Sequence, residues 1–277
     1  MTTTQSPAYT VVDGAPTAGG VGRPGRSRYS SIGLPFAGAV AAIGLWWAAT
    51  VVFGIRPFFL PAPPDIVASF REYPGYLFRE MLVTLAETLI GFGIAVAGGL
   101  VISIVLAASR TIERATLPLL VALNSVPKVA VAPLLVVWLG FGYQPKIVLV
   151  LLICFFPVVV ATMSGLTSTP AELSELARSL SASWWQSYLK VRLRWAMPQI
   201  FVGLKVAISL AVIGAVVAEI NSSQRGLGAV IVNSGYASDT PLAFAAITLL
   251  AVLSVVLFYL LAGLERLLLP WARAISG

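Results

Sequence analysis

The chain has 277 residues, of which 58% are hydrophobic and 10% are charged, with a net charge of +7 and no histidine. A soluble domain carries about a quarter charged residues, so this composition and a mean hydropathy of +0.92 indicate an integral membrane protein. Without histidine, the commonest general base is missing, and a single cysteine excludes an internal disulfide. We therefore expect no catalytic site, no metal site and no nucleic-acid partner.

Residues 1–33 are rich in Thr, Ser, Gly, Pro and Arg and contain few apolar residues. Such a composition cannot bury a core, and it lacks the apolar segment of a cleavable signal peptide. The sequence therefore predicts a disordered cytoplasmic tail at 1–33, followed by a transmembrane domain at 34–277.

Six apolar stretches are long enough to cross the roughly 30 Å hydrocarbon core of a bilayer as helices. We expect an all-α, polytopic membrane protein with about six transmembrane helices. The stretches lie near 34–54, 83–108, 117–139, 146–166, 198–219 and 242–264.

Basic residues orient these spans. With the N-terminus inside, eleven Lys and Arg residues fall in cytoplasmic segments and five in outer segments, while Lys128 and Lys205 fall within spans. The positive-inside rule therefore places both termini in the cytoplasm. Of the outer segments, 58–81 has a Pro64-Asp65 pair that favours a short helix, and 221–240 predicts another helix near the surface.

The polar, basic segment at about 168–197, between the fourth and fifth spans, is then cytoplasmic. Thr169 and Glu172 form a capping box, and leucines at three- and four-residue spacing make an apolar stripe. Ser183 and Gln186 form a second capping box, so we expect two short amphipathic helices with a bend at Ser181. The stripe needs a cover: the chain's own spans, the lipid interface, or a groove on a cytoplasmic partner.

This segment resembles the cytoplasmic loop of permease subunits of binding-protein-dependent ABC importers. Their pattern is Glu-Ala-Ala, three residues, Gly, nine residues, then Ile-x-Leu-Pro, and here serine stands at the glycine and Arg194 at the proline. Within this family the chain resembles the nitrate, taurine, aliphatic sulfonate and thiamine-precursor group, over about 45–270. The further motifs that carry this likeness are LPAPPDIVASF at 60–70, SVPKVAVAPLLVVWLGFG at 125–142, and VVAEI with GLGAVI within 216–231.

The resemblance implies a permease subunit of a bacterial inner membrane. The chain lacks a GxxxxGK[ST] phosphate-binding loop, so the energy must come from another polypeptide. Two cytoplasmic ATPase subunits would bind ATP, an extracytoplasmic binding protein would deliver the solute, and a second permease copy would complete a homodimer. No cofactor is expected in this chain. The residues expected at the ATPase contact are Glu175, Leu176, Ala177, Leu180, Ser181 and Trp184.

Charged side chains within spans are costly and indicate function. Lys128, next to the helix breaker Pro127, either pairs with Glu87 or faces an anionic solute, whereas Glu219 is more simply an interfacial anchor. The candidate pathway-lining residues are Lys128, Asn124, Ser125, Glu87 and Glu219.

The expected solute is a small organic or inorganic anion, such as a sulfonate, taurine or nitrate, or a pyrimidine-type vitamin precursor. A stand-alone secondary transporter or channel is the alternative. Against it, the sequence shows no obvious inverted repeat or paired broken helices, and the large cytoplasmic loop would have no role. An embedded enzyme is disfavoured because histidine and clustered carboxylates are missing.

Overall fold

The computed structural model describes residues 30–107, 110–222 and 224–271, and these form helices and short connections without a strand, as predicted. Most of the predicted tail lies outside the described residues. The helices are α1 (Ser30–Val52), α2 (Pro63–Glu72), α3 (Pro74–Ala107), α4 (Arg110–Asn124), α5 (Lys128–Leu139), α6 (Tyr143–Thr167), α7 (Ala171–Ser179), α8 (Trp184–Gln186), a π-helix (Ser187–Arg192), α9 (Leu193–Ser222), α10 (Leu227–Tyr236) and α11 (Thr240–Leu268).

Helix α1 begins within the last residues of the predicted tail and is apolar over Ala37–Val52. The chain divides into two units between Trp46 and Trp47, so most of α1 belongs to the first unit. All contacts described below lie within the second unit.

Each of the six predicted apolar stretches falls on helical structure. Within the described residues, α3, α6, the π-helix with α9, and α11 are each long and apolar enough to cross a membrane, and the bent pair α4–α5 makes a fifth candidate span. These spans agree with the predicted polytopic architecture, while the number of six and the orientation of the termini stay predictions.

The third predicted span, 117–139, is broken into α4 and α5, which meet at a bend of 82°, and the helix breaker Pro127 lies in this break as expected. The break falls at residues 125–127, because Pro127 has no N–H to donate and disfavours a helical residue before it. The second proline of this span, Pro133, lies inside α5, which continues through it. Because of this break, Lys128 is the first residue of α5.

Helices α3, α6 and α9 form the centre of the second unit, and small residues set their spacing. Gly91 and Gly99 of α3 lie against Val150 and Val158 of α6, where an added Cβ would approach valine side-chain carbons within 2.6 and 2.8 Å. Gly203 of α9 similarly meets α6. Because the backbones approach so closely, these three helices pack as one block.

The two predicted outer helices are present. In α2, the Asp65 carboxylate accepts a 2.9 Å hydrogen bond from the Ala62 N–H, which closes the first turn after the proline pair. Helix α10 follows α9 and is more deeply packed than a surface helix: Leu227, Ala229 and Val230 are buried. The chain thus holds α10 against the helix block.

The cap at the start of the segment that is predicted to be cytoplasmic differs from the prediction. The residue before α7 is Pro170, with no side-chain cap, and the Thr169 hydroxyl donates to the Leu166 carbonyl at 3.2 Å. The Thr169–Glu172 capping box was therefore wrong, because Thr169 hydrogen-bonds backward to the end of α6. Helix α7 itself lies where the leucine stripe predicts it.

Candidate functional site

The bend after α7 is built on Ser181, as the sequence predicts. Ser181 has φ of 53°, the left-handed region that favours glycine. Its N–H donates to the Arg178 carbonyl at 2.9 Å, and the Ala182 N–H donates to the Ala177 carbonyl at 3.0 Å. This pair of bonds is a Schellman motif, which ends α7 and turns the chain toward α8. Serine makes the turn at the cost of left-handed strain.

The second helix of the loop begins with the predicted capping box. The Ser183 N–H donates to Gln186 Oε1 at 3.0 Å, and the Gln186 N–H donates to Ser183 Oγ at 3.3 Å. The π-helix follows, and within it the buried Tyr188 hydroxyl donates to the Ile104 carbonyl of α3 at 3.1 Å. Tyr188 therefore anchors the loop to the helix block.

The apolar stripe of α7 is not covered by the described part of this chain. Ala177 is buried, but Leu176 is 56% exposed and Leu180 is 73% exposed. Trp185 on the next helix is also exposed, whereas the side chain of Trp184 lies outside the described residues. Glu175 is exposed on the same helix. The loop is thus packed against the rest of the chain through the buried Ala177 and Tyr188, and its Leu176 and Leu180 are exposed.

Arg194 stands where the resembling loops have proline. It lies in the first turn of α9, and its guanidinium carbon is 4.5 Å from the centroid of the Trp271 ring, a cation–π contact. This contact joins the start of α9 to the residues that follow α11.

At the opposite ends of α3, α6 and α9 lies a buried polar network, here called the α10 clamp. It ties these helices to the first residues of α10. The side chains of the clamp are Glu80, Thr84, Glu87, Lys146, Glu219 and Arg225, joined by the backbone amides of residues 226–228.

Glu219 is at the centre of the α10 clamp and is fully buried. Its Oε1 accepts from the Thr84 hydroxyl at 2.7 Å, and its Oε2 accepts from the Gly228 N–H at 2.7 Å. The Thr84 hydroxyl oxygen also accepts from the Leu227 N–H at 2.9 Å. Glu219 thus joins α9, α3 and α10, so the interfacial-anchor interpretation does not describe its position.

Glu80 completes the cap of α10. Its carboxylate accepts from Arg225 Nε at 3.0 and 3.1 Å and from the Gly226 N–H at 2.7 Å. Two carboxylates, Glu80 and Glu219, therefore lie at the N-terminus of α10, where they satisfy free amides and complement the helix dipole. Gly228 permits this approach, since an added Cβ would lie 2.8 Å from the Glu219 Cβ.

Glu87 is paired with Lys146, whose Nζ lies 2.5 Å from Glu87 Oε1, and both side chains are almost completely buried. The Lys128–Glu87 pairing considered from the sequence is therefore replaced by Lys146–Glu87. Lys146 was assigned to an outer loop, but α6 begins three residues earlier, at Tyr143.

Lys128 instead lies at a cavity of about 600 Å³ between the α4–α5 break, α6 and α9. Its ammonium group donates to Asn124 Oδ1 and lies 5.8 Å from the centroid of the Phe156 ring. The Ser125 hydroxyl donates to the Val121 carbonyl at 3.1 Å, and Ser125 does not line the cavity. Of the predicted pathway residues, Lys128 and Asn124 come together here, while Glu87 and Glu219 belong to the α10 clamp.

Sequence reasoning did not identify Glu80, Thr84, Lys146 and Arg225 as partners. The sequence does show that charged residues lie at one end of each of three apolar stretches. The predicted topology places these three ends on the same side of the membrane. The pairing itself depends on helix rotation, which apolar stretches leave undetermined.

Residues 99–273 match the family described as the inner membrane component of binding-protein-dependent transport systems. The riboflavin transport system permease protein RibX of Chloroflexus aurantiacus is 36% identical over 89% of this chain and 92% of its own length. The putative aliphatic sulfonates transport permease protein SsuC of Bacillus subtilis is 34% identical over 92% and 93%. The formylaminopyrimidine transport permease protein ThiX of Halalkalibacterium halodurans is 34% identical over 83% and 92%.

Two solved structures share the fold. A chain of the MetNI methionine ABC transporter, in an inward-facing conformation, matches with a TM-score of 0.61 at 21% identity, covering 69% of this chain and 95% of its own. A chain of an amino acid ABC transporter matches with a TM-score of 0.57 at 16% identity, covering 73% and 96%. At these identities the likeness concerns the arrangement of helices.

Proposed function

The chain belongs to the family of inner membrane components of binding-protein-dependent transport systems, and from this premise we propose how it couples to its partners and what it carries. It is a transmembrane permease subunit of an ABC importer, as its relatives are. We assign the chain to the bacterial inner membrane. Separate cytoplasmic ATPase subunits would hydrolyse ATP, and an extracytoplasmic binding protein would deliver the solute.

We assign the ATPase contact to α7. The observation that carries this assignment is the outward exposure of Leu176 and Leu180 on a loop whose base is anchored by Ala177 and Tyr188. An apolar pair on a short, fixed helix suits insertion into a groove on a partner. Movement of the ATPase would then pass through Tyr188 to α3 and through the π-helix to α9.

The charge of α7 favours a protein partner over the lipid surface. Helices that lie on anionic membranes carry Lys and Arg on their polar face. Helix α7 carries Glu172, Glu175 and a single basic residue, Arg178. Its polar side is therefore net negative and is repelled by anionic lipid. We assign Glu175 to the rim of the ATPase contact.

The test is co-purification of the ATPase from native membranes with the tagged chain. We expect the ATPase to be retained by the wild type and lost from a Leu176→Ser, Leu180→Ser double variant, because burial of each leucine is worth about 1.5–3 kcal/mol. Glu175→Arg is expected to weaken retention as well. Arg71→Glu, an exposed charge reversal on α2, is the matched control and should retain the ATPase.

Retention of the ATPase by the double variant would contradict the assignment of α7. Failure of any ATPase to co-purify with the wild type, in conditions that preserve membrane complexes, would favour a stand-alone transporter. The α4–α5 break is a feature that this chain has in common with such transporters, whose binding sites are often lined by broken helices.

We place the solute pathway along the cavity at Lys128, and we propose that a second copy of the chain closes it. Among its lining residues, Asn124, Gln199, Val202 and Val206 are exposed, so one side of the cavity is open. A charged residue at a helix break in a span is tolerated where it lines a cavity. A homodimer would place two such cavities face to face around one pathway.

The relatives are named for the transport of aliphatic sulfonates, formylaminopyrimidine and riboflavin. For this chain we propose a small anion, with a pyrimidine-type precursor as the second candidate. Lys128 supports the anion, because it supplies a positive charge to the cavity.

A further inference from the structure

The position of Lys128 is unusual for a lysine in a membrane protein. It contacts Phe156, which lies near the middle of α6 (Tyr143–Thr167), so its ammonium is near the middle of that helix rather than at an end. A lysine at this depth is costly and persists where it has a counter-charge or a task. The contacts described for Lys128 are a neutral amide oxygen and an aromatic ring.

Lys146 shows the contrast. It lies in the first turn of α6 and is buried, and it has a carboxylate partner in Glu87 of α3. Lys128 has its positive charge beside a cavity instead, and helix α5 begins at the same residue, which adds the positive end of a helix dipole. The local potential at this end of the cavity is therefore positive, and the complement is an anion.

The remaining lining of the cavity is mostly apolar. Its apolar part includes Ile153, Val160, Val202, Val206 and Leu210, next to Phe156, and the polar side chains there besides Lys128 and Asn124 are Ser164 and Gln199. A volume of about 600 Å³ is in the range of sites for small organic molecules. An inorganic anion gains nothing from the apolar part of this wall, whereas an alkyl or aryl group gains from contact with it.

We propose that this cavity binds a small organic monoanion, whose sulfonate or carboxylate group pairs with Lys128 and whose apolar body lies against α6 and α9. This inference rests on the proposed function, and it deepens it by naming the substrate class. It separates organic anions from nitrate and from uncharged pyrimidines. Asn124 holds the lysine toward the head group and is a positioning residue.

The test uses the permease–ATPase complex in phosphatidylcholine nanodiscs, without the binding protein, and measures binding by calorimetry. The probes are 1-ethanesulfonate, 1-butanesulfonate, the uncharged 1-butanesulfonamide, and nitrate. We expect 1-butanesulfonate to bind about 16-fold tighter than 1-ethanesulfonate, since each buried methylene contributes about fourfold. We expect the sulfonamide and nitrate to bind at least about tenfold more weakly than 1-butanesulfonate, because each lacks one of the two interactions.

Lys128→Met is expected to weaken 1-butanesulfonate binding at least about tenfold, and Lys128→Arg to retain most of it. Lys205→Met is the matched control, because Lys205 lies in α9 but pairs with Glu265 at 2.8 Å and does not line the cavity. It should leave the affinity unchanged. If Lys128→Met fails to assemble, the sulfonate–sulfonamide comparison on the wild type still decides the point.

Equal affinity for the sulfonate and the sulfonamide would overturn the proposal, as would tighter binding of nitrate. Loss of binding when phosphatidylglycerol is added to the nanodiscs would assign the cavity to a lipid head group and would also overturn it. In either case a retained ATPase leaves the proposed function standing. Loss of the ATPase itself from the wild-type complex would instead contradict the proposed function.

Discussion

The α10 clamp and the loop that is predicted to be cytoplasmic lie at opposite ends of the same helices and use polar residues in opposite ways. The clamp buries Glu219 and Lys146 and gives each of them a hydrogen-bond partner within the chain. The loop keeps its base fixed through Tyr188 but exposes Leu176 and Leu180. The chain itself pairs the buried charges at one end, whereas the described residues leave the two leucines at the other end exposed.

This difference indicates which end of the molecule contributes to folding stability and which end contributes to assembly. Substitutions in the clamp should lower the free energy of unfolding, since buried unpaired charges are costly. Substitutions of the exposed leucines should alter assembly and leave folding almost unchanged, since exposed side chains contribute little to stability.

The largest expected effect follows removal of the clamp lysine. Lys146→Met leaves the buried Glu87 carboxylate without its counter-charge, and we expect a loss of about 3–5 kcal/mol in the free energy of unfolding. The double variant Lys146→Met, Glu87→Gln should recover most of this loss. Thermal unfolding of the detergent-solubilised protein measures both, and equal instability of the two variants would contradict the pairing.

A glycine in the clamp is the next point of sensitivity. Gly228→Ala brings a Cβ to 2.8 Å from the Glu219 Cβ and the Val216 carbonyl oxygen, so we expect a loss of about 1–3 kcal/mol. Gly235→Ala is the matched control in the same helix, with no atom within 4 Å of the added Cβ. The same thermal unfolding measurement should separate the two, and equal values would show that α10 is not held by close packing.

The bend of the loop provides a smaller effect of opposite sign. Ser181→Gly removes left-handed strain at φ of 53°, and we expect a gain of up to about 1 kcal/mol. Ser179→Gly, two residues earlier and within α7, should instead destabilise, because glycine is a poor helix former. Protection of the loop amides in hydrogen exchange reports the change, and a loss of protection in Ser181→Gly would count against the Schellman bend.

The smallest expected effect on folding is that of the exposed leucines. Leu176→Ser with Leu180→Ser should change the free energy of unfolding by less than about 0.5 kcal/mol, because both side chains are already exposed. The midpoint of thermal unfolding of the isolated permease measures this. A large drop would mean that the chain itself covers the stripe.

Much of the fold was predictable because its signals are local. The apolar stretches predicted the helices, the Ser183–Gln186 box predicted the start of α8, and the glycine position of the resembling loops predicted the left-handed Ser181. The Thr169 cap failed because its hydroxyl had a competing carbonyl in the preceding turn, at Leu166.

The sites were less predictable because they depend on which helix faces meet. Lys128 and Asn124 are four residues apart in the sequence, so their proximity is local, but the pairing of Glu87 spans 59 residues and that of Glu80 with Arg225 spans 145. A nearly uniform apolar helix gives no signal for its rotation. The sequence therefore placed Glu87 and Glu219 within apolar stretches but did not indicate the contacts that they make in the clamp.

The most direct test of the account is photo-crosslinking in native membranes from a benzoylphenylalanine at Leu180, compared with one at Val67, which is exposed on α2. Both chains are purified, and mass spectrometry identifies what is attached. If the ATPase binds the α7 loop, we expect a nucleotide-binding ATPase subunit to be crosslinked at Leu180 and none at Val67. Attachment of lipid alone at Leu180, or of the ATPase at Val67, would contradict it.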